Sequence, residues 1–415
     1  MIEKKRSNPL INNMEDVIKN SVPKDRYERY EADKIVFPIY SREVNTSQVR
    51  YKRDEKNGIY KKIDGNSSNE ASIMCVGDLM CEPRMSEAMK LDNDYIFELG
   101  FRRVKGVLSK ADFAIANLET TVTPLVPYAH ENHKIEGRYH CNAPVEYLDG
   151  IRYAGFDALA QANNHNADAG VDGIIDTVDN VEKKGFLHTG LFRNENDPRV
   201  LVVDINGICV AFLSYTEHVN KDLDKRILTD EGQELMINRY STHKLLHDIK
   251  SAKKLGAEFI ICYIHFKCRE YTHEVIEHQE ILAKEMAGAG VDCIMGSHSH
   301  SLQRYDKIVT DSGKVVPVIY SLGNFMTSDN TSMITRKNII YNIILKRLDG
   351  KVIIKDESYI PCRIVEGFAS CSYIIYPTRK VWNGQRSEYN LLREAEKEIV
   401  SVIGGKIKLF DQKMV

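Results

Sequence analysis

Between residues 71 and 380, short apolar runs alternate with longer amphipathic ones. The runs at 72–76, 112–116, 158–162, 259–264, 292–295 and 315–320 have the length and polar or glycine borders of strands. Between several of them, residues 145–153, 171–184, 231–254 and 273–289 carry helical periodicity. Such alternation predicts an α/β architecture with parallel or mixed sheets. Asn206-Gly207, between RVLVVDI and ICVAFLSY, and Asp349-Gly350, between two Ile-rich runs, are hairpin signals that add antiparallel strands. Residues 388–403 predict a closing helix, ended by Gly404-Gly405. The first 70 residues are polar except for Ile35-Val36-Phe37, and they run into KNGIYKKIDGNSSNEAS, a stretch of linker composition. The pattern therefore divides the chain into an N-terminal arm or extension (1–70), a main domain (71–380) and a C-terminal helical extension (381–415). The arm either packs on the body or a partner, or is partly disordered.

Composition narrows the function classes. Of 415 residues, 57 are basic and 59 acidic, a net charge of −2. That balance argues against a general nucleic-acid or membrane-surface binder. No apolar run approaches the roughly 18 residues of an integral membrane segment. The nine cysteines are an odd number, without a C-x-x-C pair, and most lie in apolar runs such as Ile73-Met74-Cys75-Val76. They read as buried reduced thiols rather than a disulfide framework. The basic start is followed by no apolar stretch, so no secretory signal is visible and the expected location is cytoplasmic. The oligomeric state stays open.

The chemistry lies where the strands end. Strand IMCV leads to Gly77-Asp78, FAIA to Asn117-Leu118-Glu119, and ALAQA to Asn163-Asn164-His165. FIICYI leads to His265, DCIMG to Ser297-His298-Ser299-His300, and VVPVIYSLG to Asn324. Ligand sites of open α/β sheets lie beyond the carboxyl ends of strands. Carboxylates, amides and imidazoles delivered to one edge suit a divalent metal centre. Singly, each fragment has a plainer reading: a turn aspartate, an Asx-turn, a polar loop. His298 and His300 would point to opposite sides of an extended strand, so using both needs two metals or a bent loop.

The series GD-x-M, NLE, NNH-x-x-D-x-G, an isolated His after a strand, G-x-H-x-H and YSLGNF resembles the CapA family across residues 71–376. These are poly-γ-glutamate capsule-biosynthesis proteins with a calcineurin-like metallophosphatase fold. The resemblance implies a four-layer α-β-β-α sandwich of mixed sheets holding one or two divalent ions: Mn, Fe or Zn. It implies Asp78 and His300 on a first metal, Glu119 as a bridge, and Asn164, His265 and His298 on a second. Asn117 would be a neighbouring ligand, orienter or substrate contact, and Asn324 a substrate contact. His165 would be the general acid or a substrate-facing imidazole, with Asp168 as its carboxylate partner. Lys267, Arg269 and Arg304 flank these positions and could receive an anionic polymer or peptide, and Glu270 is a further candidate substrate contact. Three departures stand out: Met80 occupies a position that holds His in the wider fold, Lys267 replaces a glycine after His265, and Ser299 replaces a proline.

Three functions fit this reading. The first is a hydrolase acting on an amide or phosphoester through a metal-activated water. The second is a peptide epimerase or isomerase that abstracts a proton next to a carbonyl, with His165 as base. The third is a non-catalytic capsule-assembly component with a structural metal. Fold alone does not choose among them.

Overall fold

A computed structural model describes residues 49–378 and 386–410, apart from short stretches at 64, 66, 92–93, 129–133, 136–137, 140, 221–234, 330 and 367–372. Two mixed sheets face each other. The first has eight strands in the order Tyr51–Asp54, Ile59–Lys62, Leu201–Ile205, Ile208–Thr216, Phe259–His265, Cys293–Ser297, Val315–Ile319 and Tyr305–Val309. The second runs Leu187–Thr189, Ala158–Ala160, Phe113–Leu118, Glu70–Leu79, Lys337–Leu348, Lys351–Glu366 and Tyr373–Pro377. Asn324–Met326 pairs with Glu70–Leu79, and Lys408–Leu409 with Lys351–Glu366. At the heart of each sheet the strands run parallel, from Ile208–Thr216 to Val315–Ile319 in one and from Glu70–Leu79 to Leu187–Thr189 in the other.

Both faces of the central strands are buried, so their residues are apolar throughout rather than alternating. Ala71, Ile73 and Cys75 face the other sheet with Phe259, Ile261 and Tyr263. Phe113 stacks on Phe212 across the gap, ring centres 4.8 Å apart. The intervening residues Met74, Val76, Ala114 and Ala116 point outward to a layer that includes helix Glu146–Ala154. Ile260, Cys262 and Ile264 point outward to helices Thr242–Lys254 and Glu277–Ala289. The result is the expected α-β-β-α sandwich. Tyr263 also ties the sheets together, donating its hydroxyl to the carbonyls of Val76 (3.3 Å) and Ile115 (3.1 Å).

Both hairpin signals hold: Asn206-Gly207 and Asp349-Gly350 all have positive φ and join antiparallel strands. The eight cysteines among the described residues are free, and Cys371 lies outside them. Two helices differ from their periodicity at their starts: of the one expected over 231–254, residues 231–234 lie outside the described ones and 235–236 are helical but separated from Thr242–Lys254, and the one expected over 273–289 begins at Glu277. Ser241, in extended backbone, caps Thr242–Lys254 through the Lys244 amide, while Ile237 and Arg239 before it form bridges to Leu191 and Thr216. In the other, Glu277 opens the helix after Gln279 has accepted the Ile276 amide. The linker-like stretch of the arm is also partly structured, because Tyr51–Asp54 and Ile59–Lys62 form a hairpin that extends the first sheet. The C-terminal helix Arg386–Ile403 places Ile399 and Ile403 in the core between the sheets.

Candidate metal centre

The parallel strands of both sheets deliver polar residues to one edge. Asp78 is reached through an irregularity: the pairing of Glu70–Leu79 with Phe113–Leu118 shifts between Cys75 and Asp78. Such a bulge re-aims a side chain. Gly77 is required there, since a Cβ would meet the Gly323 carbonyl at 1.9 Å. Asn117 donates to Asp78 Oδ1 at 2.7 Å and faces Glu119 Oε2 at 3.5 Å, so it binds the two carboxylates together. Glu119 Oε1 lies 3.5 Å from His265 Nε2, which joins the second sheet's carboxylates to the first sheet's imidazoles.

His298 and His300 answer the alternation problem by bending. Both take left-handed backbone, φ 92° and 55°. For non-glycine residues this costs on the order of 1–3 kcal/mol each, and such strain collects at functional sites. The bend brings ligand atoms of His298, His300 and Glu119 within 4.8 Å of one another. The rings of His265 and His298 are 4.8 Å apart.

Outer partners orient two of the imidazoles. His265 Nδ1 bonds Ser297 Oγ at 2.8 Å, and His300 Nδ1 bonds Asn324 Oδ1 at 3.0 Å. Such bonds set the far nitrogen for metal ligation. Asn324, expected to contact substrate, thus has its amide oxygen committed to His300.

What remains unpaired is informative. Asp78 Oδ2, Glu119 Oε1, Asn164 Oδ1, His265 Nε2 and His298 Nδ1 are buried without a hydrogen-bond partner. Each such atom costs about 1–3 kcal/mol. Burial pushes Asp78 above the usual carboxylate range, and burial with the Asp78 charge pushes Glu119 well above it. Burial, then the neighbouring imidazoles, holds His265 and His298 well below the ordinary histidine range. Neutral imidazoles and crowded carboxylates are a donor set that a divalent cation would satisfy, so the residues fit a metal.

His165 stands beside this set in a different state. Its Nδ1 is 2.6 Å from Asp168 Oδ2, which also accepts the Cys141 amide at 2.6 Å. Burial alone would lower its pKa; the Asp168 carboxylate outweighs that and holds it well above the ordinary range. Its side chain is 12% exposed.

The flanking residues divide. Glu270 reaches within 4.0 Å of His298 and Tyr271 within 5.7 Å of His300, ring to ring. Lys267 is exposed next to His265, and Arg269 is exposed and paired with Glu274 at 3.6 Å. Arg304 is not brought to these rings. Its guanidinium is held by Asp306 at 2.7 Å and by Glu280 of the outer helix, and it lies over Tyr320. His218 also packs against this set, 4.5 Å from the His298 ring. It lies in a polar loop whose spacing gives no metal signal.

Two buried sheets whose strand ends carry a carboxylate–imidazole set define an α/β sandwich with a candidate metal centre. The model of the family "Bacterial capsule synthesis protein PGA_cap" matches residues 72–329, and the chain belongs to this family. "Capsule biosynthesis protein CapA" of Bacillus anthracis is 30% identical over 267 residues, 64% of this chain and 61% of that protein. "PGA biosynthesis protein CapA" of Bacillus subtilis (strain 168) is 26% identical over 289 residues, 69% of this chain and 70% of that protein. Among solved structures, the calcineurin-like phosphoesterase YfkN from Bacillus subtilis overlays with a TM-score of 0.40 at 14% identity, covering 80% of this chain and 98% of that one. No helix among the described residues is long and apolar enough to cross a membrane.

Proposed function

We propose that this chain is a metal-dependent hydrolase that cleaves an amide or phosphoester bond in an anionic capsule polymer, poly-γ-glutamate, or a related peptide. The observation that carries this reading is the group of five buried, partnerless donor atoms at the strand ends, with the Asp168-bound imidazole of His165 beside them. Asp78, Glu119, Asn164, His265, His298 and His300 would hold one or two divalent ions. Once bound, such ions supply a Lewis acid and an activated water.

The chain's own part is proton delivery and orientation. Asp168 holds His165 Nδ1, which leaves Nε2 as the proton donor. As the scissile bond breaks, His165 gives that proton to the leaving nitrogen or oxygen. Lys267 and Arg269 at the rim offer positive charge to a polyanion, while Glu270 limits how close one approaches His298. A raised His165 pKa favours an acid over the neutral base that an epimerase requires.

The test is turnover of metal-loaded protein on poly-γ-glutamate, γ-glutamyl peptides and phosphoesters in H₂¹⁸O. Incorporation of ¹⁸O into product is expected. Deuterium at carbon in D₂O, without cleavage, would convert the reading to an epimerase. Metal-replete protein inert on every substrate would leave an assembly role.

A further inference from the structure

His218 has no role in the centre built so far, yet the fold anchors it there. It lies two residues beyond strand Ile208–Thr216, whose Thr216 pairs with His265 in parallel register. The loop is fastened on both sides. Glu217 accepts from His278 Nε2 at 2.6 Å and from the Lys267 amide at 2.7 Å. Asn220 donates its amide to the Asn164 carbonyl at 2.9 Å and accepts from Asn164 Nδ2 at 3.3 Å. His218 is therefore strung between the residue after His265 by two and a residue of the Asn164 loop.

Its ring centre is 4.5 Å from His298 and 5.9 Å from His265, and those two are 4.8 Å apart. Imidazole nitrogens about 2.0–2.1 Å from one ion put the ring centres of neighbouring ligands on the order of 5 Å apart. The three rings have that spacing. Each also carries a buried nitrogen without a hydrogen-bond partner: His218 Nδ1, His265 Nε2 and His298 Nδ1. A histidine kept for structure would have its buried nitrogen bonded.

We propose that His218 is a further metal ligand, binding through Nδ1 the ion shared by His265 and His298. This rests on the metal-centre reading above. It also predicts an unequal pair of sites: Met80 offers no imidazole on the Asp78 side, whereas His218 adds one on the His265 side.

Zinc and cobalt(II) binding to the full chain tests this, by calorimetry and by the visible spectrum of bound cobalt, for wild type, His218→Ala, His218→Gln and His265→Ala. Both His218 variants should weaken the tighter step by at least roughly tenfold and change the cobalt spectrum. The metal-free melting temperature of His218→Gln should stay close to wild type, because Nδ1 has no hydrogen bond to lose. His265→Ala should abolish that step. If both His218 variants bind with wild-type affinity and spectrum while His265→Ala loses the ion, His218 is not a ligand and the centre stands without it. If wild type binds neither metal, the centre itself fails and the inference with it.

Discussion

The strand Phe259–His265 ends in two different environments. At about 3.3 Å per residue they lie roughly 20 Å apart. Phe259 lines a cavity of about 620 Å³, shared with Asp292, Lys307, Lys314 and the stretch 352–357. His265 lies in the proposed metal centre. Volume alone would favour the first end as a binding site. The charges decide otherwise. Lys307 pairs with Glu357 at 2.5 Å, Lys314 with Asp292 at 2.5 Å, Lys355 with Glu70 at 2.8 Å and Asp356 with Lys408 at 2.6 Å. Every charged lining residue of the cavity has its counter-ion within the chain. At the His265 end, buried donors and acceptors wait without partners. Unpaired buried polarity, rather than empty space, marks where a ligand belongs.

The sharpest way to break this contrast is Glu119→Gln. The amide keeps the shape but removes the central charge, so metal affinity should fall by more than roughly a hundredfold, beyond the loss expected from outer partners. The same variant tests the crowding of carboxyls. In the metal-free fold, Glu119 keeps its proton well above the ordinary value of 4.5, whereas the unfolded chain has released it. Metal-free wild type should therefore lose stability as pH rises above that value, and Glu119→Gln should lose less. Melting temperatures against pH, with chelator present, read the difference; parallel curves would remove the crowding argument.

His165→Asn separates proton delivery from metal binding. Turnover should drop by roughly 10²–10⁴-fold with metal content unchanged. Full activity of this variant on a true substrate would take the acid role from His165.

Ser297→Ala removes the bond that orients His265 but no ligand. Metal affinity should fall by about 10–100-fold, as for other outer partners of ligating histidines. An unchanged titration would mean that packing alone holds the ring.

The smallest effect belongs to the opposite end. Lys307→Met breaks an ion pair whose lysine is 48% exposed. Chemical denaturation should show a change within about 1 kcal/mol, and metal content should be untouched. Tyr305 and Tyr341 still donate hydroxyls to Glu357. A loss of metal in this variant would join the two ends and undo the comparison.

Much of the centre was legible because parallel strands buried on both faces show as apolar runs, and the polar residue after each run marks its carboxyl end. Asp78, Glu119, His265 and His298 were placed at one edge of the candidate centre in that way. The left-handed turns at His298 and His300 were not legible, since nothing local demands positive φ in Ser-His-Ser-His. Tertiary contacts impose it. Arg304 misled because sequence proximity to His300 hides a change of side: the chain has by then turned into the edge strand Tyr305–Val309, and the arginine meets the outer helix. The hairpin at 51–62 was hidden by its charged residues, although Asn57-Gly58 carries a turn signal and Gly58 has φ 70°. An edge hairpin exposes one face to water and so needs few apolar residues.

The two sheets contribute different halves of the centre, carboxylates and amides from one and imidazoles from the other, and Tyr263 bridges the gap beneath them. This division has a kinetic consequence. Neither sheet alone presents a full ligand set, so an ion cannot act as a nucleus for folding; it can lock only a sandwich that has already closed. Metal should then leave the refolding rate unaltered and slow unfolding, since a contact absent from the transition state acts on the unfolding limb. In the proposed centre the ion would be a latch on lifetime.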